Sequence, residues 1–356
     1  MKNNRIIQPR AMKKMYAFTE KRPIDVSLSE NPLGCSPLVM SALKQLRIDL
    51  NDYPSPNGKQ LRKKLSEKFL MSVHNFFVAN GSESIINDLP RIFCEVADEI
   101  IIPKLTFPMF AVCSELAGLS VLSIKMTDGL GIDLEEIMKA ISHRTKLIFL
   151  CNPNNPTGAV LPKNEIIQFI NQVPKNVLVV VDEANIEFGG ESVINEIEKQ
   201  KNLIVLRTLS KGFGLATLRI GFAVASQNII QKLEEETPIF QISGVSEKLA
   251  CIALEDDEFI QSTKQVTASE RKFLQKKLAA FGFTVFPSEA NNIFVKIPTI
   301  LAQKKFMKTL AEKGVSVVSG SNFDGFEDSF FRVSIRSEEI NRKFIQKIEE
   351  IMNENK

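Results

Sequence analysis

The side chains with the clearest chemical potential lie together between residues 207 and 219. This segment reads R-T-L-S-K-G-F-G-L-A-T-L-R and follows an apolar, strand-like run. The hydroxyls of Thr208 and Ser210 and the guanidinium of Arg219 suit a phosphate group, and the amine of Lys211 could react with a carbonyl. The G-x-x-x-x-G-K-S/T pattern of a P-loop is absent, which excludes that type of phosphate site.

A second candidate is Asp182, in the run V-L-V-V-V-D-E-A-N that ends at Asn185. A carboxylate at the end of a buried strand costs several kcal/mol unless a cation or hydrogen-bond donors meet it. Asp182 therefore needs a partner. A helix N-cap would satisfy it equally well, so the residue alone does not establish a function.

Two turns follow other strand-like runs. One is N-P-N-N-P-T-G, from Asn152 to Gly158, and the other is N-G-S-E, from Asn80 to Glu83. Open α/β sheets bind ligands at the carboxyl ends of their strands, and the amides that open a helix attract phosphate. Each turn could also be a simple connection without any role in binding.

The final candidate is the run F-F-R-V-S-I-R, from Phe330 to Arg336. Arg332 and Arg336 are four residues apart, so a strand places both guanidinium groups on one face. That face could bind an anion, or it could be the solvated side of an edge strand.

The elements that position these residues alternate between short apolar runs and amphipathic helices, which predicts a doubly wound α/β domain. The predicted strands are 76–79, 99–102, 120–124, 146–150, 177–181, 203–206 and 220–225. The predicted helices between them are 82–96, 107–117, 134–141 and 163–171. From residue 246 a long helical stretch to 281 precedes strands at 283–286, 292–296, 315–318 and 330–335 and helices at 300–313 and 338–352. The predicted units are 1–44, an N-terminal segment that packs with the small domain; 45–245, the large α/β domain; and 246–356, a small α+β domain.

Composition excludes several classes. The net charge of +3 over 356 residues gives no reason to expect nucleic acid or an anionic membrane as a partner. No apolar run reaches the length of about 18 residues that a membrane helix needs, and the basic N-terminus lacks the apolar stretch of a secretory signal. Five cysteines without a C-x-x-C pair favour reduced thiols and a cytoplasmic location, and two histidines argue against a zinc site or a Ser-His-Asp hydrolase.

Taken in order, the segments G-S-E, N-P-N-N-P-T-G, D-E-A, R-T-L-S-K and L-R-I-G resemble the pyridoxal 5'-phosphate (PLP)-dependent class I/II aminotransferases. The nearest branch contains histidinol-phosphate aminotransferase and threonine-phosphate decarboxylase, and the similarity spans about residues 24–341. The resemblance implies an aspartate-aminotransferase-like fold with PLP as cofactor. It also implies an enzyme that acts on a small anionic amine or amino acid, with a 2-oxo acid as acceptor.

The resemblance also assigns individual roles. Lys211 would form the Schiff base with PLP, and Asp182 would pair with the pyridine nitrogen. Tyr53, in D-Y-P-S, would reach the cofactor phosphate of a neighbouring subunit, which implies a homodimer with shared sites. The other implied cofactor contacts are Ser82, Glu83, Phe107, Asn155, Asn185, Thr208, Ser210 and Arg219. The implied substrate contacts are Asn31, Arg332 and Arg336.

Two positions depart from the histidinol-phosphate aminotransferase pattern. Asn185 stands where a tyrosine usually follows D-E-A, and V-V-S-G at residues 317–320 lacks a second arginine. The segment N-F-D-G-F at 322–326, followed by R-V-S-I-R at 332–336, is similar to the decarboxylase branch, whereas E-N-P at 30–32 and R-T-L-S-K-G-F-G-L-A at 207–216 are similar to the aminotransferase branch. A decarboxylase of a phosphorylated amino acid therefore stays open. A non-catalytic PLP-sensing module is a further alternative, although no helix-turn-helix pattern precedes the α/β domain.

Overall fold

The computed structural model describes residues 22–299, 301, 303–323 and 326–354 of the chain. The strands are β1 Ile24–Asp25, β2 Phe76–Ala79, β3 Glu99–Pro103, β4 Ser120–Ile124, β5 Thr145–Cys151, β6 Leu178–Asp182, β7 Leu203–Thr208, β8 Gly221–Ala225, β9 Thr284–Val285, β10 Asn292–Lys296, β11 Val315–Ser316, β12 Val318–Ser319 and β13 Phe330–Ser334. The α-helices are α1 Pro37–Gln45, α2 Lys59–Phe69, α3 Ser82–Phe93, α4 Met109–Leu116, α5 Leu134–Ala140, α6 Lys163–Gln172, α7 Gln227–Glu235, α8 Gly244–Ala253, α9 Asp257–Ala280, α10 Gln303–Glu312 and α11 Glu338–Glu354.

The large sheet has the order β2-β8-β7-β6-β5-β3-β4 and is mainly parallel. Strands β3 to β7 pair with one another in parallel, and only β8 runs against its neighbours. The carboxyl ends of β5, β6 and β7 therefore meet at one edge, where the predicted turns begin. This agrees with the predicted doubly wound α/β architecture.

Alternate residues of each central strand face opposite sides of this sheet. In β6, Val179 and Val181 join one buried cluster with helices α2 and α6, while Val180 joins another with helices α3 and α4. Because helices cover both faces, these strands have no solvent-exposed side, and their sequences are continuous apolar runs.

A second, antiparallel sheet has the order β12-β13-β10-β9 and packs against α9, α10 and α11. Strand β1 pairs in parallel with β11, so Ile24 and Asp25 lie beside Val315 and Ser316 of this C-terminal unit. The proposed boundaries at 44/45 and 245/246 stay a prediction. Residues 1–21 of the predicted N-terminal segment lie outside the described residues.

Two predicted elements differ from the structure. The helical stretch from 246 to 281 is two helices, because the side chain of Asp256 accepts a hydrogen bond from the Phe259 amide at 3.0 Å and begins α9 anew. The predicted strand 315–318 is also divided, since β11 pairs with β1 whereas β12 pairs with β13. Residues 300 and 302 of the predicted helix 300–313, and residues 324 and 325 of N-F-D-G-F, lie outside the described residues.

Among the helices of the described ranges, none combines the length and apolar character required to cross a membrane.

Candidate active site

A cavity of about 350 Å³ opens at the edge where β5, β6 and β7 end. Arg332 of β13 and the segment at residues 28–30 contribute the opposite wall, so both sheets take part in the site. The lining residues are Leu28, Ser29, Glu30, Ser82, Glu83, Phe107, Cys151, Asn155, Asp182, Ala184, Thr208, Ser210, Lys211, Ala216, Arg219 and Arg332.

Asp182 and Lys211 face the same cavity and influence each other's charge. Asp182 ends β6 with 3% of its surface exposed, and its Oδ1 accepts a hydrogen bond from the Ala184 amide at 3.0 Å. Burial raises the pKa of Asp182, an effect that the positive charge of Lys211 opposes. Burial also lowers the pKa of Lys211, while the negative charge of Asp182 acts in the other direction. The lowered lysine pKa favours the neutral, nucleophilic amine.

The start of α3 forms a concave, cationic end of the cavity. Gly81 precedes this twelve-residue helix at a φ of +80° and caps it without a side chain. A Cβ on Gly81 would lie 2.6 Å from Arg219 Nη2, and one on Gly221 would lie 2.1 Å from the Ser82 amide nitrogen. Both glycines are thus needed for Arg219 and the helix amides to lie this close together. Arg219 Nη1 also donates to Ser210 Oγ at 3.3 Å.

The turn at 152–158 places one asparagine in the cavity and uses two others to hold its own shape. Asn152 Oδ1 accepts a hydrogen bond from the Leu161 amide at 2.8 Å, and Asn154 Nδ2 donates to Leu105 O at 2.8 Å. Asn155 lines the cavity instead, where its Oδ1 accepts from Arg332 Nη1 at 2.7 Å. Arg332 also donates to Ser27 O.

Asn185 lies behind Lys211 and is not part of the lining. Its Oδ1 accepts a hydrogen bond from Lys211 Nζ at 3.2 Å, and its Nδ2 donates to Pro153 O at 3.3 Å. The side chain that replaces the family tyrosine therefore contacts the lysine amine directly.

Asn31, Arg336 and Tyr53 are not among the lining residues, and Tyr53 was predicted to reach the site of a neighbouring subunit instead. Asn31 Nδ2 donates to Gly212 O at 2.7 Å and to Lys211 O at 3.2 Å, so it holds the lysine loop by its backbone. Arg336 pairs with Glu30 and donates to Leu28 O at 3.2 Å. Tyr53 is 83% exposed and its ring stacks on that of Phe240, with 4.9 Å between centroids.

The structure adds lining residues that the sequence did not single out. Cys151 had a usable signal, because it is the last residue of β5 and directly precedes N-P-N-N-P-T-G. Leu28 and Ser29 had none, since only the packing of the N-terminal segment against β13 brings them to the cavity, whereas Glu30 belongs to the E-N-P segment that resembles the aminotransferase branch.

No group of three or more potential metal ligands occurs within the described ranges. The five cysteines are unpaired. Burial raises the pKa of the Cys151 thiol, an effect that the charge of Asp182 strengthens.

The residues that line the cavity suit PLP. The helix start, Arg219 and the hydroxyls of Thr208 and Ser210 offer donors and positive charge to a phosphate. At the other end, Lys211 offers an amine for a carbonyl, Asp182 offers a buried carboxylate for a ring N–H, and Phe107 provides an aromatic wall. A Cβ on Gly81 would clash with Arg219 and one on Gly221 would clash with the Ser82 amide, so both glycines keep these donors together at the phosphate end.

Comparison with known proteins agrees with this fit. Residues 21–348 match the family model described as aminotransferase class I and II. The chain is 34% identical over 350 residues to a histidinol-phosphate aminotransferase from Methanococcus maripaludis, with 95% of this chain and 92% of the relative covered.

Two solved structures resemble the fold over nearly its whole length. The histidinol-phosphate aminotransferase from Clostridium acetobutylicum has a TM-score of 0.87 at 25% identity, with 93% of this chain and 99% of the other covered. The histidinol-phosphate aminotransferase from Sinorhizobium meliloti, in complex with pyridoxal-5'-phosphate, has a TM-score of 0.87 at 21% identity, covering 98% and 95%. These similarities confirm the predicted aspartate-aminotransferase-like fold. The chain therefore belongs to the class I and II aminotransferases and is a PLP-dependent transferase.

Proposed function

We propose that this aminotransferase takes its amino group from a small amine or amino acid that carries an anionic group, and gives it to a 2-oxo acid. The observation that carries this proposal is the position of Arg332, a largely buried arginine in the wall of the cavity that contains Lys211. A guanidinium in such a wall suits a carboxylate or phosphate of the substrate.

Arg332 would bind the anionic group and so orient the substrate amine toward Lys211. The family's second arginine is replaced at Ser319, which is not among the lining residues and whose hydroxyl donates to Asp328 Oδ1 at 2.8 Å. Hydrogen bonds from Ser321 and Ser319 lower the pKa of Asp328, so it stays a carboxylate there. With serine at position 319, Arg332 would bind the substrate anion without a second arginine from that position, which favours a singly charged carboxylate over a phosphate dianion.

Bound PLP supplies a reactive carbonyl and a ring that withdraws electrons from the substrate Cα. Lys211 Nζ would hold the cofactor at this carbonyl and, once displaced by the substrate amine, would carry the Cα proton. The Asp182 carboxylate would keep a proton on the ring nitrogen. Asn155, whose Oδ1 is occupied by Arg332, would donate through Nδ2 to the ring's O3', and Asn185 would orient the lysine amine.

The phosphate of the cofactor would lie at the start of α3. The backbone amides of Ser82 and Glu83, the hydroxyls of Thr208 and Ser210, and the Arg219 guanidinium all converge there. Phe107 would stack on the ring.

A homodimer with shared sites is supported by the large apolar side chains that are exposed between residues 28 and 53 and at residues 239–240. Tyr53 and Leu50 are 83% and 85% exposed, far more than expected of large side chains in a lone subunit. The exposed large apolar residues of these two segments are Leu28, Leu33, Leu38, Met40, Leu43, Leu50, Tyr53, Ile239 and Phe240. We expect sedimentation to show a dimer at assay concentrations; an active monomer would contradict the proposal.

We also propose a cytoplasmic location, in keeping with five unpaired cysteines.

The substrate proposal is tested by offering the purified PLP form a panel of amines and amino acids, histidinol phosphate among them. Formation of pyridoxamine phosphate, followed by its recovery with 2-oxoglutarate, is the expected result, with carboxylate-bearing donors turned over better than phosphate-bearing ones. Release of CO2 without pyridoxamine phosphate would favour a decarboxylase. Efficient turnover of histidinol phosphate would show that the replacement at Ser319 does not matter.

A further inference from the structure

Arg207 lies directly behind the active site, on the face of the sheet that the cavity does not use. Asp182 pairs in register with Leu206, so period 2 turns Asp182 and Thr208 toward the cavity and Arg207 to the opposite face. Glu183, next to Asp182, turns to the same opposite face. Arg207 and Glu183 thus each adjoin a residue of the site without contacting the cavity themselves.

The Arg207 guanidinium donates hydrogen bonds to two carboxylates in the loop that follows the neighbouring strand, β6. Nη1 donates to Glu183 Oε2 at 3.0 Å, and Nη2 donates to Glu187 Oε1 at 2.7 Å. Glu183 is fixed further by Ser192 Oγ at 2.6 Å and by the Val193 amide at 2.7 Å. The planar guanidinium can serve both carboxylates at once, whereas an ammonium group offers no fixed fork.

Glu187 extends this contact to the lysine loop. A Cβ on Gly212 would lie 2.5 Å from Glu187 Cβ and 2.6 Å from its Cγ, so the glutamate side chain rests against the backbone next to Lys211. Asn31 holds the same backbone through Gly212 O at 2.7 Å. The loop that carries Lys211 is therefore fixed between Glu187 and Asn31.

The charges of Arg207, Glu183 and Glu187 depend on one another. Glu187 Oε2 has no hydrogen-bond partner in the described part of the chain, and Arg207 is its only ion-pair partner there. Burial raises the pKa of Glu183, an effect that the charge of Arg207 opposes. Removing the arginine would leave two buried carboxylates without a cation, and such groups rearrange or become protonated.

We propose that Arg207 is a positioning residue of the transamination reaction. Through Glu183 it fixes the loop of Asp182, through Glu187 it fixes the loop of Lys211, and so it sets the two groups at their working separation across the cavity. This inference rests on the roles proposed above for Asp182 and Lys211.

The test compares Arg207→Lys with a matched control, Arg62→Lys. Both arginine side chains are 11% exposed and both pair with glutamate, but Arg62 lies on α2 beside Glu234 and away from the cavity. Both variants should lose thermal stability. Only Arg207→Lys should lower kcat, by roughly 10- to 100-fold because displacement of a reacting group by about 1 Å can cost that much, with KM within threefold of the parent. It should also weaken the visible circular dichroism of the bound cofactor.

Glu187 provides a second pair of variants, which also serves if Arg207→Lys does not fold. Glu187→Gln keeps an oxygen acceptor for Arg207 and the contact with Gly212, so kcat should stay within threefold of the parent. Glu187→Ala removes both contacts and should lower kcat by at least tenfold and weaken the circular dichroism.

If Arg207→Lys or Glu187→Ala loses stability but keeps the kcat and circular dichroism of the parent, Arg207 has no positioning role. The proposed function would still stand in that case, provided that borohydride fixes the cofactor on Lys211 in the parent protein. A cofactor adduct on another residue of the parent would overturn the proposed function and this inference together.

Discussion

Replacing Asp182 with asparagine removes one charge from the cavity while almost preserving the shape of the side chain. The asparagine Oδ1 can still accept the Ala184 amide, which lies 3.0 Å from the aspartate oxygen. The variant should therefore fold and bind PLP but transaminate slowly, because a neutral amide cannot hold a proton on the ring nitrogen.

The size of the loss follows from the burial of Asp182. Two unit charges about 4 Å apart interact by about 4 kcal/mol at the effective dielectric constant of about 20 that describes buried sites. A neutral hydrogen bond recovers about 1 kcal/mol of this. The net loss of about 3 kcal/mol corresponds to a decrease in kcat of roughly 100-fold.

The assay measures the single-turnover conversion of bound PLP to pyridoxamine phosphate and the steady-state kcat, after absorbance has shown equal cofactor content. Asp88→Asn is the control, because Asp88 is also buried but pairs with Arg91 on α3, away from Lys211. A loss of less than tenfold, or a loss equal to that of Asp88→Asn, would refute the electrostatic role of Asp182.

Measuring the stability of the cofactor-free protein distinguishes a lost electrostatic role of Asp182 from a loss of activity through unfolding. Because burial raises the folded-state pKa of Asp182 above its ordinary 3.8, the folded protein binds more protons than the unfolded chain between the two values. The contribution of Asp182 to stability is thus full below pH ~3.8 and is lost as pH rises through the folded-state pKa. The asparagine variant should therefore be at least as stable as the parent at pH 7, and the difference should close as pH falls below about 4.

Three further predictions concern single positions. Borohydride reduction should bleach the visible absorbance and leave a phosphopyridoxyl group on Lys211, as mass spectrometry of peptides can show; a Lys211→Ala protein that carries the same adduct elsewhere would contradict the assignment. Arg332→Lys should raise KM for the amino donor by roughly 10- to 100-fold, since a charge-assisted hydrogen bond is worth about 1.5–3 kcal/mol. Arg336→Lys should change KM by less than threefold, because Arg336 is not among the lining residues and its guanidinium is engaged by Glu30 and Leu28 O. Tyr53→Phe should weaken PLP binding by about 1.5–3 kcal/mol with the dimer intact, and unchanged binding measured by fluorescence titration would place Tyr53 outside the partner's site.

Much of the large domain could be predicted from local patterns. Strands of the central sheet are apolar on both faces, and the chemically useful residues lie at their carboxyl ends: Asp182 and Thr208 end β6 and β7, and Asn155 lies in the turn after β5. Since parallel strands present their carboxyl ends at one edge, sequence order alone indicated that these side chains would meet. The break at Asp256 was missed, because helical periodicity continues on both sides of the residue that caps α9.

The sequence by itself determined the fold family and the cofactor, and it predicted the reactive lysine, because these depend on short motifs in a fixed order. Only the tertiary structure decided which side chains reach the cavity. Asn31 and Arg336 carry suitable groups, but they bond to backbone carbonyls of other segments and are not among the lining residues, while Leu28, Ser29 and Glu30 enter the wall through contacts with a segment some 300 residues away. The link between Arg207, Glu183 and Glu187 likewise depends on the pairing of β6 with β7. Such contacts join residues that are distant in sequence, and no local sequence pattern specifies which distant residue a side chain will contact.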